Sequence, residues 1–169
     1  AVQTEVVFRH TRELLDLPAR KVTPEEAGAV RARQEVLAQQ EIASGADEDG
    51  EMRQNDQLLE RYENQGECPL YRMELHVLRI GDVAFASNRF ELYMDYMHRI
   101  QARSPFVQTF IIQLCGTPGA EGGTYLATER GVWGRGYSAS LFCNVVSPQG
   151  GQELVDETVR ILKDLAAEA

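Results

Sequence analysis

A chain of 169 residues, 43% apolar and 25% charged, is long enough for one domain with a buried core of its own. A formal charge of −9 argues against a nucleic-acid-binding domain, which usually shows basic patches, and an acidic surface mostly serves solubility. No apolar run approaches the roughly 20 residues needed to cross a bilayer.

The opening, AVQTEVVFRHTRELL, lacks the charged-then-apolar pattern of a secretory leader. Starting without methionine, it leads to the expectation of a mature chain or a piece of a longer protein. Residues 5–10 (EVVFRH) read as a short strand or an extended lead-in. Thr23 is placed as an N-cap, Pro24 at the first helical position and Glu26 to close a capping box, so a helix is predicted over 24–42. Its sparse apolar residues, Val30, Val36 and Leu37, leave one side solvated. The acid-rich stretch ASGADEDGE reads as a loop, and without DxDxDG spacing it is not a calcium loop. Residues 52–64 form a second polar helix with Leu58, Leu59 and Tyr62 as contact points, ended by Cys68 and Pro69.

Residues 71–80 alternate, Met73, Leu75 and Val77 on one face and Glu74 and His76 on the other, the pattern of a half-buried strand. Gly81 and Asp82 turn it into VAFAS as a hairpin. A helix is predicted over 91–103, capped by Ser87 or Asn88, with Leu92, Tyr96 and Ile100 at helical spacing. FVQTFIIQLC (106–115) is apolar almost throughout, as in a central strand covered on both faces. A glycine-rich loop leads to Tyr125, TERGVWGRG continues irregularly to Tyr137, and SLFCNVV reads as a last short strand. Ser147 and Pro148 open a closing helix with a stripe of Val155, Val159, Leu162 and Ala166. The order gives an α+β (layered α/β) fold, a single domain over 1–169 with helices packed on a mixed sheet.

Few residues point to chemistry by pattern alone. Glu91 at a helix start is explained by the macrodipole, worth ~0.3–1 kcal/mol, as readily as by a site. The loop 116–123 lacks GK[ST] and GxGxxG spacing, and reads as an active-site rim or a plain connection. His10, His76 and His98 lie on separate elements without HxH or HExxH grouping and read as surface or strand-face histidines. Cys68, Cys115 and Cys143 are odd in number, widely spaced and without CxxC; they read as buried or incidental thiols, a disulfide between two of them staying open.

The stretch RIGDVAFASNRFELYMDYMHRI, followed by GGTYLATERGVWGRGYSA, resembles the later part of the catalytic domain of neutral/alkaline (non-lysosomal) ceramidases, a bacterial branch in particular. The resemblance covers about residues 79–165 and rests on the order Glu91, Tyr125 (in TYLATER), Tyr137 (in GRGY). It implies zinc-dependent hydrolysis of the amide bond of a lipid amide, with Glu91 and Tyr125 as zinc ligands and Tyr137 stabilising the oxyanion. Asn88-Arg89-Phe90-Glu91 stands where the family has Pro-(Gly/Ala)-Glu-Phe. The family takes its histidine ligands from an earlier half of the domain. The chain is accordingly expected to be the carboxy-terminal half of a larger catalytic domain, inactive and without zinc on its own. Its partner would be the upstream half, or a further copy through the face that half leaves exposed. The parent would be secreted or periplasmic if it behaves like the family. Two alternatives stay open: a non-catalytic α+β interaction module, and a hydrolase acting on a different amide or ester.

Overall fold

The computed structural model describes residues 5–39, 46–66, 69–116 and 124–168. The described residues fall into two compact units, Arg20–Pro69 and the described parts of Ala1–Ala19 with Leu70–Ala169.

In the smaller unit, helices α1 (Pro24–Gln39) and α2 (Ala46–Asn64) pack on each other. The capping box forms as the sequence predicts: Glu26 N–H donates to Thr23 Oγ1 at 3.2 Å, and Thr23 N–H donates to Glu26 Oε2 at 2.9 Å. Arg33 grips Glu51 with both arms of its guanidinium, at 2.7 and 2.9 Å. The Gln65 amide exchanges hydrogen bonds with the Val22 backbone at 2.8 and 3.0 Å. The loop expected over 43–51 gives way to helix from Ala46 onward. A single internal glycine, Gly50, costs only ~1 kcal/mol in a helix, too little to break one anchored further along. The stop assigned to Cys68 lies outside the described residues.

The larger unit is an α+β fold on a mixed sheet of order β1-β2-β3-β5. Strand β1 (Phe8–Pro18) pairs antiparallel along its whole length with β2 (Leu70–Ile80), and β2 pairs antiparallel with β3 (Val83–Ser87). After β3 come a two-residue strand β4 (Glu91–Leu92), helix α3 (Met94–Arg103) and β5 (Gln108–Ile112), which returns parallel to β3. A second two-residue strand β6 (Tyr125–Leu126) pairs parallel with β4. Helix α4 (Glu129–Gly134), a 3-10 turn at Tyr137–Ala139 and helix α5 (Pro148–Ala167) complete the chain.

Period-two alternation sets the faces of the sheet. Leu15, Leu17, Met73, Leu75, Val77, Ala84 and Ala86 point inward, against Tyr96 and Ile100 of α3 and Leu154, Val155, Val159, Ile161 and Leu162 of α5. The buried Tyr96 hydroxyl reaches Ala127 O at 3.1 Å and Pro148 O at 3.2 Å, joining α3 to the end of β6 and the start of α5. On the outer face Arg72, Glu74 and His76 stand at one end, and Leu78, Phe85 and Phe110 form an apolar row across three strands.

Several expectations are corrected. The first strand runs over Phe8–Pro18 rather than 5–10, because β2 offers it partners that far. Glu91 is on a strand, not at a helix start: the N–H groups of Glu91 and Tyr93 donate to Thr124 O and Leu126 O, so α3 begins only at Met94 with Tyr93 as N-cap. The run 106–115 is not a central strand. Its regular part is the edge strand β5, which turns Thr109 and Ile111 to its one covered face, while Phe110 and Ile112 stand 44% and 41% exposed. TERGVWGRG contains helix α4, capped by Thr128. SLFCNVV is a turn with one bridge, Ala19 to Val146, since Asn144 spends its side chain on loop carbonyls instead of leaving room for a ladder. The closing stripe is completed by Leu165, and Ala166 is exposed, because Leu165 falls on the buried side of the helix.

A Cβ at Gly151 would overlap the Tyr96 ring and hydroxyl, whereas one at Gly28 would meet nothing within 4 Å. Gly151→Ala is therefore expected to lower the free energy of unfolding by about 1–3 kcal/mol. Gly28→Ala is expected to raise it by about 0.5–1 kcal/mol, by restricting the unfolded chain. Chemical denaturation of both variants checks the contrast, and effects of the same sign would refute the packing described for Tyr96.

Candidate functional site

The chain leaves β3 through a turn in which Asn88 Oδ1 accepts the Phe90 N–H at 2.9 Å, a local side-chain bond that redirects the backbone. It then enters β4, where Leu92 N–H donates to Gln113 Oε1 at 2.8 Å. Leu92 and Leu126 are directly paired and buried at 5% and 0% exposure. Alternation then sends their neighbours the other way, and these are Glu91 and Tyr125, also directly paired.

Tyr137 arrives by a different route. Beyond β6, Ala127 N–H donates to Asn144 Oδ1 at 2.9 Å, and Thr128 Oγ1 caps α4 by accepting the Gly131 N–H at 3.2 Å. Arg135 and Gly136 turn the chain with φ of 61° and 107°. Asn144 Nδ2 then donates to Ser138 O at 2.7 Å and to Ser140 O at 3.1 Å. One buried amide thus fastens the Tyr137 turn to the strand carrying Tyr125. The two phenol rings meet edge to face, 6.0 Å apart with planes at 79°. Tyr137 is 78% exposed, so the group is a rim open to solvent. The three residues singled out by the sequence, from three separated segments, therefore lie together.

Electrostatics bind them into one cluster. A hydrogen bond to the Glu91 carboxylate pushes the Tyr125 phenol above its ordinary range, helped by desolvation and by the carboxylate's charge. The Tyr137 phenol is also raised, first by a hydrogen bond with Cys143, then by charge on Cys143, desolvation and Glu91. Cys143, a free thiol, is a member of this cluster that sequence reasoning missed. It sits six residues after Tyr137 in a turn, and nothing in SLFCN marks it.

Each of these influences favours the neutral phenol, because each neighbour is itself an anion or can become one. A bound cation would reverse that pressure, and hard oxygen donors suit a divalent ion. Zinc in catalytic sites takes about three protein ligands, and the carboxylate and phenol present here supply two of a kind it accepts. Among the described residues, no group of three or more His, Cys, Asp or Glu side chains is gathered where a metal could be held. His10 and His76, read as isolated, lie side by side on the outer face of the sheet; the signal for this was the β1–β2 register, invisible while β1 was read as ending at His10.

A cleft of about 480 Å³ opens on that outer face, lined among others by Arg72, Glu74, His76, Ser87 and Arg89. It contains none of Glu91, Tyr125 and Tyr137, and its charged groups are largely engaged with each other, as in the bidentate Arg72–Asp16 pair at 2.7 Å. No helix in the described residues is long and apolar enough to cross a membrane. No family model matches the chain, and neither does any curated protein or solved structure at a significant level.

Because the carboxylate holds the Tyr125 proton, Glu91→Gln is expected to lower the pH at which Tyr125 ionises, toward the ordinary phenol value near ~10. Phenolate absorbance followed against pH, with Tyr125→Phe identifying the transition, checks this. A Tyr125 transition unmoved by Glu91→Gln would mean that the two side chains do not touch.

Proposed function

We propose that this chain is the carboxy-terminal part of a ceramidase-like, zinc-dependent amidohydrolase that cleaves N-acyl amide bonds of lipid amides. The observation that carries the reading is the convergence of Glu91, Tyr125 and Tyr137 through the β4–β6 pairing and the Asn144 clasp. Three residues expected to share a site, from segments 34 and 12 residues apart, come to one exposed rim.

Glu91 and Tyr125 would hold the metal, together with imidazoles from the upstream half. A zinc ion bound there supplies Lewis acidity and lowers the pKa of a water to ~7. Tyr125, paired with Glu91 across β4 and β6, would serve as such a ligand once its phenol proton had passed to solvent. Tyr137 stays protonated across the working range, its phenol raised by Cys143, and so keeps a hydrogen to donate to the oxygen of a tetrahedral intermediate. Asn144 acts as a positioning residue, holding Tyr137 to the strand that bears Tyr125.

The outer face of the sheet favours a partner in either reading of the chain. Phe85 and Phe110 stack with centroids 5.0 Å apart, and Ile80, Phe110 and Ile112 are each more than 40% exposed, more apolar surface than a solvated sheet face usually carries. In the enzyme reading the upstream half covers it. In the alternative, a non-catalytic interaction module, another protein does.

The test restores the upstream half of the domain and measures zinc content and fatty-acid release. The restored protein is expected to bind zinc and hydrolyse a lipid amide. Tyr137→Phe should lower kcat about 10²–10³-fold at unchanged zinc content, and Glu91→Gln should lower the zinc content itself. No hydrolysis by the restored, zinc-loaded protein would overturn the assignment and leave the interaction module.

A further inference from the structure

We infer that His10 and His76 form a second metal site, on the outer face of the sheet, for a borderline divalent ion such as Cu²⁺, Ni²⁺ or Zn²⁺. The inference does not depend on the function proposed for the rim.

The β1–β2 register sets Arg12 opposite His76 and Leu78 opposite His10, so the two histidines are diagonal neighbours on one face. His10 Nε2 lies 3.0 Å from His76 Nδ1, with ring planes 8° apart and centroids 5.2 Å apart. On its other side, His76 Nε2 stands 3.3 Å from Glu74 Oε2. A carboxylate only accepts, so this contact assigns the His76 proton to Nε2 and leaves a lone pair on Nδ1. In the metal-free pair His10 Nε2–H then donates to that lone pair.

The separation is already close to a chelating one, but the two nitrogens face each other almost head-on, so both rings must turn for their lone pairs to meet at one ion. Two ligand nitrogens at 2.0–2.1 Å from a tetrahedral ion stand about 3.3 Å apart, a few tenths of an ångström beyond the separation in the pair. Moving the His10 proton from Nε2 to Nδ1 frees the second lone pair without a net change in protonation. Glu74 already occupies the place of the outer carboxylate that orients and strengthens a ligating histidine. Its negative charge is shared with Arg12, which keeps the carboxylate in place beside the ring. His10 is exposed and His76 lines the open cleft, so the remaining coordination positions face water. Imidazole nitrogens select Cu²⁺, Ni²⁺ and Zn²⁺ over Ca²⁺ and Mg²⁺.

Titration of the whole chain with Ni²⁺ by calorimetry, and electron paramagnetic resonance of the Cu²⁺-loaded chain, test this. One saturable site is expected, with nitrogen hyperfine structure in the Cu²⁺ spectrum. His10→Ala and His76→Ala should each weaken binding by about tenfold or more, and Glu74→Gln by about tenfold. His98→Ala and Glu91→Gln should leave it unchanged. Binding that survives the His10→Ala/His76→Ala double variant overturns the proposal, as does binding lost in Glu91→Gln, which would put the ion at the rim. A Cu²⁺ spectrum of the unaltered chain showing oxygen ligands alone overturns it without recourse to any variant.

Discussion

The arrangement of the rim hangs on one buried hydroxyl. Tyr96, fully enclosed, offers a single proton to two carbonyls, Ala127 O and Pro148 O, which end β6 and begin α5. Burial holds that phenol far above its usual titration range, so it remains a donor wherever the protein is folded. Gly151 is there because nothing larger fits beside the ring. Together these contacts set the depth at which β6 lies beside α3, and β4 precedes α3 by one residue. A pair of two-residue strands has too few ladder bonds to fix its own register. The tyrosine, packed from behind, does it for them.

A second constraint works from the front. Asn144, 1% exposed, satisfies Ala127 N–H with its oxygen and two carbonyls of the Tyr137 turn with its nitrogen. An amide is suited to this, since it accepts and donates at once and tolerates burial only when both ends are engaged. The outward side chains Tyr125 and Tyr137 are thus held through inward partners. Accessibility of the rim and rigidity of its support are compatible for that reason.

What could be read from the sequence was what local chemistry decides. The Thr23–Glu26 box, the alternation from Met73 to Val77, the Gly81–Asp82 turn and the apolar stripe of the last helix are written in contiguous residues, and each formed. What failed was decided at a distance. Leu92, Tyr96 and Ile100 keep helical spacing, yet the backbone at Glu91 and Tyr93 is claimed by Thr124 and Leu126, more than thirty residues away. The run FVQTFIIQLC reads as covered on both faces because it is apolar almost throughout, and among the described residues only one of its faces is covered. The order Glu91, Tyr125, Tyr137 was legible as a resemblance, and with it the expectation that they meet; the β4–β6 ladder that joins two of them was not, because two residues leave no periodic trace. Cys143 escaped because nothing in its turn marks it, and the His10–His76 pair because it needs the full β1–β2 register.

The two clusters on the larger unit differ in what they ask of a cation. At the rim, the carboxylate and the thiol raise the two phenols, so the empty arrangement keeps phenol protons that an ion would have to displace. Occupation there competes with hydrogen ions and gains from any neutral donor that adds affinity without adding charge, which is what imidazole provides. On the sheet, the imidazoles are present and a carboxylate is set behind one of them, so occupation there needs a proton moved between the two nitrogens of His10 and a turn of both rings. A metal at the rim would therefore need ligands from outside the cluster, whereas the sheet pair offers two imidazoles and leaves the remaining positions to water. The chain's two candidate metal positions are separable by chemistry as well as by place.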